Sequence, residues 1–383
     1  MIPYLFQTIF VFLIIIAIIF DLGKVSYKSY TKTFKCIYIV LAILSALRYG
    51  VGADTPSYMV AYEYIPNIKD LNESTFLFFR FQPLYIIVNS ICKTIYQDFV
   101  VVQIIQCILF FHSFYLLIDY FHIKKMYLLL IFYCYVYFSS GMTLMRESYA
   151  LAFCFYGIYF YYKFGKVKWF YILNIIGFFF HSSVIVLFII PILNKFKLRK
   201  NIFFFIFIGI SLICLWAAFN VNSSIMLSSS DSSINRYIGT ENENGIKFFG
   251  VIRVIIEFMI FYLYCFKDIK RIPQDIVYLG LLYLVFDIGA VLYLDILSRF
   301  SSHFTIFFFI CLDSILKKKN ISSSIKAIIL LLFLYQPISR CINILFVSEY
   351  NMSMLEYCSI FSEDKTYYNK IIRNTSAFDY FIH

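Results

Sequence analysis

The sequence predicts an all-α integral membrane protein with about ten transmembrane helices, one re-entrant hairpin and one interfacial amphipathic helix. Three observations carry that expectation. Of the 383 residues, 62% are hydrophobic and only 14% are charged, against about a quarter charged in soluble domains. The mean hydropathy is +0.80, so most of the surface must face lipid or other helices. The apolar runs are continuous, not alternating, which fits helices and not barrel strands.

Apolar segments fall at 2–20, 34–47, 83–96, 99–118, 126–140, 148–162, 169–193, 201–219, 246–266, 276–294, 300–316 and 325–347. The first lacks a basic leader and a small-residue cleavage site, so it reads as a retained helix. The net charge of +11 sits mostly in short stretches between the runs, where it reads as topology and not as a nucleic-acid surface. Lys24, Lys28, Lys32 and Lys35 place 21–35 in the cytoplasm. Lys124 and Lys125 do the same for 119–125, and Lys163, Lys166 and Lys168 for 163–168. Lys195 to Lys200, Lys267 to Arg271 and Lys317 to Lys319 mark three further inner loops.

Twelve simple crossings conflict with these charges, so two segments must return to the side they left. In 83–96, Asn89, Ser90, Lys93, Thr94 and Gln97 share one helical face, which suits a helix lying on the outer interface. Segment 169–193 has basic flanks at both ends and is interrupted by His181-Ser182-Ser183. A hairpin re-entering from the cytoplasm obeys the charge rule; one tilted helix is the alternative. Ten crossings then put both termini outside, with 48–82, 141–147, 220–245, 295–299 and the tail 348–383. The chain reads as a single membrane domain, 1–383, without repeats or an attached soluble domain.

Ten cysteines form no CxxC pair, which gives no support to zinc, haem attachment or a disulfide framework. P-loop, GxSxG, HExxH and DxD patterns are absent from the sequence. Chemistry driven by ATP or a nucleotide sugar therefore has no visible site, and neither a metal nor another cofactor is expected.

Charged residues at the outer mouths of helices are the candidate site. Arg48-Tyr-Gly50-Val-Gly52-Ala-Asp54, followed by Tyr58, begins where the second helix ends. A guanidinium and glycine-freed backbone amides can converge on an anion such as phosphate, with Asp54 as a base or as the arginine's partner. A helix end with a basic cap and a glycine stop explains the same residues. Arg146 in Met-Arg-Glu-Ser and Arg299 in Leu-Ser-Arg-Phe have the same outer-mouth placement, and three such arginines could surround a pyrophosphate. His181 could line a cavity or merely pack. Arg253 and Glu257, one turn apart, should pair, since each alone would cost about 2.5–3.5 kcal/mol at a helix centre. Most of the 34 tyrosines and 47 phenylalanines read as interfacial belts and lipid-facing packing.

Together these pieces resemble the EpsG-like branch of Wzy-type polysaccharide polymerases. The resemblance rests on Arg48 to Asp54 with Tyr58, Arg146-Glu-Ser-Tyr-Ala-Leu-Ala152, Phe180-His-Ser-Ser183 before Pro191, Ile296-Leu-Ser-Arg299-Phe and, weakly, Leu355-Glu-Tyr-Cys358. It spans roughly 40 to 360. The family tends to carry an acidic residue before a proline where this chain has Gln82-Pro83, and a proline in the tail motif that is missing here.

The resemblance implies polymerisation of lipid-linked oligosaccharide repeat units on the outer face of a bacterial cytoplasmic membrane. The donor would be a glycan on polyprenyl pyrophosphate. Arg48, Arg146 and Arg299 with Gly50 and Gly52 would bind substrate, and Asp54 or His181 would be the base. Partners would be polyprenyl-pyrophosphate-linked glycans, membrane lipids and other export and chain-length proteins, with no nucleic acid. An O-antigen ligase-like transferase is the nearest alternative chemistry, and a lipid-linked oligosaccharide flippase is the alternative outside enzymes.

Overall fold

Helices occupy most of the apolar segments in the computed structural model. It describes residues 2–22, 26–79, 81–123, 125–195, 248–265, 273–291, 295–346 and 356–374, with scattered positions from 202 to 213. Most of segment 201–219 and all of the loop 220–245 lie outside the described residues. Among the described residues, five helices are long and apolar enough to cross a membrane: Val100–Tyr120, Met126–Thr143, Gln274–Val291, Arg299–Leu316 and Ser323–Phe346. Shorter apolar helices at Leu5–Asp21, Pro83–Ile95, Val167–Phe178 and Ser182–Lys195 accompany them. The chain is a helical, multi-pass membrane protein. It divides into two compact units, residues 1–185 with 336–383, and residues 186–335.

In the first unit, α1 (Leu5–Leu22) is followed by α2 (Tyr27–Ala46), whose N-cap Ser26 accepts from Ser29 N at 3.3 Å. After the loop 47–54 comes α3 (Thr55–Tyr64), then α4 (Glu73–Phe78) and α5 (Pro83–Ile95). Asp98 Oδ1 accepts from Val100 N at 3.0 Å and starts α6 (Val100–Tyr120), which packs on α2 and on α8 (Met145–Phe164). Between them, α7 (Met126–Phe132) continues as a π-helix over Tyr133–Thr143. Thr143 Oγ1 donates to Phe138 O, five residues back, at 2.8 Å, and Ser139 Oγ donates to Tyr135 O at 2.9 Å. These hydroxyls bond backbone carbonyls inside the widened turns. The expected outer turn 141–147 is therefore only Leu144.

Gly165, at φ +66°, closes α8 in a left-handed cap, and α9 (Val167–Phe178) runs back along it. A Cβ at Gly157 would lie 3.2 Å from Phe170 O, and one at Gly177 2.8 Å from Ala150 O. Glycine at both positions lets the two backbones nearly touch. Segment 169–193 is not one unbroken helix. It turns at Phe179–His181 and continues as a 3-10 stretch, Ser182–Ile189, and α10 (Ile190–Lys195).

Much of the polar face of α5 is used inside the protein: Asn89 and Ser90 are buried and Lys93 is half-buried, while Thr94 is exposed. Ser90 Oγ donates to Pro66 O at 2.7 Å, and Thr94 Oγ1 accepts from Ile68 N at 3.0 Å. Lys93 Nζ caps the end of α3 through Tyr62 O, Glu63 O and Ile65 O at 3.0, 2.8 and 2.7 Å. Ile91 and Ile95 are exposed too.

The second unit is built on α11 (Phe248–Cys265), α12 (Gln274–Val291) and α13 (Asp295–Leu316). The rings of Tyr283 and Phe308 lie 4.3 Å apart, and Gly280 leaves room for Cys311. Arg253 pairs with Glu257 at 3.1 Å as expected, and also with Asp287 at 2.7 Å. All three are buried. The expected turn 295–299 is the first turn of α13.

The helix α14 (Ser323–Phe346) crosses the division between units. In its last turn, within the first unit, Leu345 O accepts from Gln7 Nε2 at 3.1 Å. The tail then folds back. Its strand β2 (Glu356–Tyr357) pairs antiparallel with β1 (Ile2–Pro3), and α15 (Thr366–Asn374) packs on α3.

Candidate active site

The glycine loop is shaped by what surrounds it. Gly50 has φ +66° and Gly52 φ +111°, conformations that L side chains rarely adopt. A Cβ at Gly50 would lie 2.8 Å from the Tyr368 ring, and one at Gly52 2.8 Å from Thr55 Oγ1. The tail clamps the same loop: Tyr49 N donates to Cys358 O at 2.8 Å, Ile360 N to Leu47 O at 2.9 Å, and Tyr49 OH to Asn369 Oδ1 at 2.7 Å. The tail is thus part of the loop's wall.

Arg48 is fully buried. Its Nη1 donates to Ser45 O, at the end of its own helix, and lies 3.8 Å from Cys107 Sγ. Its carbonyl accepts from Gln103 Nε2 at 3.0 Å. Its Nε and Nη2 have no hydrogen-bond partner among the described residues. The sequence reading puts this guanidinium on the anion; in the structure it is buried, with Nη1 turned toward the end of α2.

Arg146 is different. It lies at the start of α8, half-buried, with Nε 3.4 Å from Tyr58 OH and Nη1 3.3 Å from Gln82 Oε1. The guanidinium stands 4.8 Å over the Phe81 ring and 6.0 Å from that of Tyr58, a cation–π cradle. Asp54, the residue before α3, is close enough for its charge to favour the Arg146 cation. Burial pushes the Tyr58 phenol above its ordinary range, and Arg146 pulls it back.

His181 sits in the turn after α9. Its Nδ1 lies 2.6 Å from Ser183 Oγ and accepts from Ser183 N at 3.3 Å. An N–H donor needs a lone pair, so that contact leaves the imidazole proton on Nε2. The turn is docked beside Arg146 twice over. Phe180 stacks on Tyr149 at 5.1 Å, and Phe179 O accepts from Leu84 N at 3.2 Å, two residues beyond Gln82.

Asp54, Arg146 and the His181 turn therefore belong to one neighbourhood of the first unit, with Arg48, Gly50 and Gly52 in the loop that leads into it. Arg299 belongs to the other unit. There it is half-buried on α13, with Ser302 Oγ donating to its carbonyl at 2.6 Å and its charge acting on buried His303. Gln82 and Phe81 are the residues that sequence reasoning passed over as ligands of Arg146. The signal for Gln82 was present, because it stands at the resemblance's acidic position.

A family model described as the EpsG family matches residues 31–359, a span that contains Arg48, Gly50, Gly52, Asp54, Gln82, Arg146, His181 and Arg299. No curated protein and no solved structure matches the chain.

Proposed function

The chain belongs to the EpsG family, and from that premise we propose that it polymerises lipid-linked oligosaccharide repeat units on the outer face of a bacterial cytoplasmic membrane. The observation that carries this reading is the cradle of Arg146. A guanidinium held by Tyr58, Gln82 and Phe81, beside Asp54, is a receptor for a diphosphate.

In the reaction, an acceptor hydroxyl oxygen bonds to the anomeric carbon of the donor glycan. The bond from that carbon to the pyrophosphate oxygen breaks, and polyprenyl pyrophosphate leaves with the electron pair. Arg146 stabilises the charge that develops on the leaving oxygen. Asp54, a carboxylate and hence acceptor-only when ionised, takes the acceptor's proton. His181, with its proton on Nε2, donates to the phosphate instead of acting as the base. Arg48 fixes the glycine loop. Energy is stored in the donor linkage.

A ligase-like transferase would use the same chemistry on a different acceptor. Deleting the gene and sizing lipid-linked glycans on a gel separates the two. Single repeat units accumulate if the chain is the polymerase, whereas full-length polymer on its lipid accumulates if it is a ligase.

A further inference from the structure

A surface groove at the far end of α3 has the chemistry of a sugar site, and we infer that it binds the glycan portion of a substrate. This rests on the polymerase reading and extends it. One cavity of about 500 Å³ is lined by Tyr49, Tyr62, Glu63, Tyr96, Gln97 and Asp98, among others. A neighbouring cavity of about 420 Å³ shares Gln97 and continues past Thr94 to Asn67, Lys69 and Asp70.

The lining is polar where it is open and aromatic where it is firm. The Tyr96 ring is 57% exposed, and its backbone is held by Tyr62 OH on its carbonyl at 3.1 Å and by its own N–H on Cys92 O at 2.8 Å. Behind it Tyr62 and Phe99 pack edge to face at 5.5 Å. An exposed ring on an anchored backbone presents a flat face to the C–H side of a pyranose, whose weakly positive hydrogens suit the negative π face. Exposed Glu63, Gln97 and Asp98 supply acceptors and an amide for hydroxyls, and charge-assisted hydrogen bonds are the stronger kind. Carboxylates and lysines are mixed, so the groove suits a hydroxyl-rich ligand better than an anionic headgroup.

Its position fits the chemistry. Asp54 and Tyr58 stand at the start of α3 and Tyr62 and Glu63 in its last turn, with Met59 between them. Ten residues of helix span about 15 Å, so a glycan whose end reacts at Asp54 and Arg146 can extend along α3 into the groove. Tyr49 and Ile372 of α15 also line it, so the tail that clamps the glycine loop shapes the sugar site as well.

The test uses the full chain purified in detergent, with delipidated oligosaccharides cut from the producing strain's own polymer as the probe. Fragments of two or more repeat units should bind, and Tyr96→Ala and Glu63→Gln should each weaken binding about tenfold at unchanged thermal stability. Arg146→Ala, which acts on the phosphate, should leave fragment binding in place. In cells Tyr96→Ala should give a shortened ladder. Fragments that bind Tyr96→Ala as tightly as the parent, or that do not bind the parent, overturn the groove. Neither outcome touches the polymerase reading, which fails separately if the deletion strain accumulates no single repeat units.

Discussion

Arg146 Nη1 donates to Gln82 Oε1 at 3.3 Å, at the position where the family resemblance leads one to expect an acid. The Gln82 amide oxygen is a neutral acceptor for the guanidinium. Gln82→Glu should convert the contact to an ion pair, roughly twice as strong, and compete with phosphate for the same arginine. The expected outcome is shorter polymer at matched protein levels, with Gln82→Ala milder. Polymer of parental length from Gln82→Glu would show that an amide at this position is not required.

Arg48 and Arg146 should separate cleanly. Arg146→Lys keeps the charge but loses the planar fork. Losing one charge-assisted hydrogen bond costs about 1.5–3 kcal/mol, roughly a ten- to hundred-fold drop in rate if felt in the transition state. Protein amount should stay near the parent's. Arg48→Ala instead removes a buried group on Ser45 O and Cys107, so protein in the membrane should fall. Comparing immunoblot level with polymer output for each variant checks both.

How much of this was legible in the sequence depended on range. Apolar runs located the helices within a few residues: 246–266 became Phe248–Cys265, and 276–294 became Gln274–Val291. Burial of a whole segment leaves its mark on composition. The turn 141–147 was misjudged because five-residue hydroxyl bonds such as Thr143 to Phe138 O leave no trace in hydropathy. The Arg253–Glu257 pair was visible one turn apart, but Asp287 is 34 residues from Arg253. Likewise Tyr368 and Asn369 reach the loop at 49–50 from over three hundred residues away, and no local pattern announces such a partner.

The tail contact gives its own prediction. Gly50→Ala forces a left-handed residue, costing about 1–2 kcal/mol, and drives a methyl into the Tyr368 ring. It should lower the unfolding midpoint and shorten the polymer. Adding Tyr368→Ala should recover part of the steric loss but none of the backbone strain. Equal midpoints for Gly50→Ala and the parent would mean the loop is not clamped as described.

In the second unit, two carboxylates share one guanidinium. Arg253→Ala strands both in an apolar environment and should cost about 3–5 kcal/mol. Asp287→Asn and Glu257→Gln each leave a one-to-one pair and should cost far less. Thermal unfolding of the three purified variants checks the order; an Arg253→Ala protein as stable as the parent would show that the triad is not buried as a unit.

The most direct test of the central claim is reconstitution. Purified protein is placed in liposomes with lipid-linked repeat units from a strain lacking the gene, without ATP or nucleotide sugar. The expected result is a ladder of lipid-linked polymer with release of polyprenyl pyrophosphate, lost in Arg146→Ala and Asp54→Asn. Repeat units that stay single with active, folded protein, or a ladder unchanged by Arg146→Ala, would contradict it.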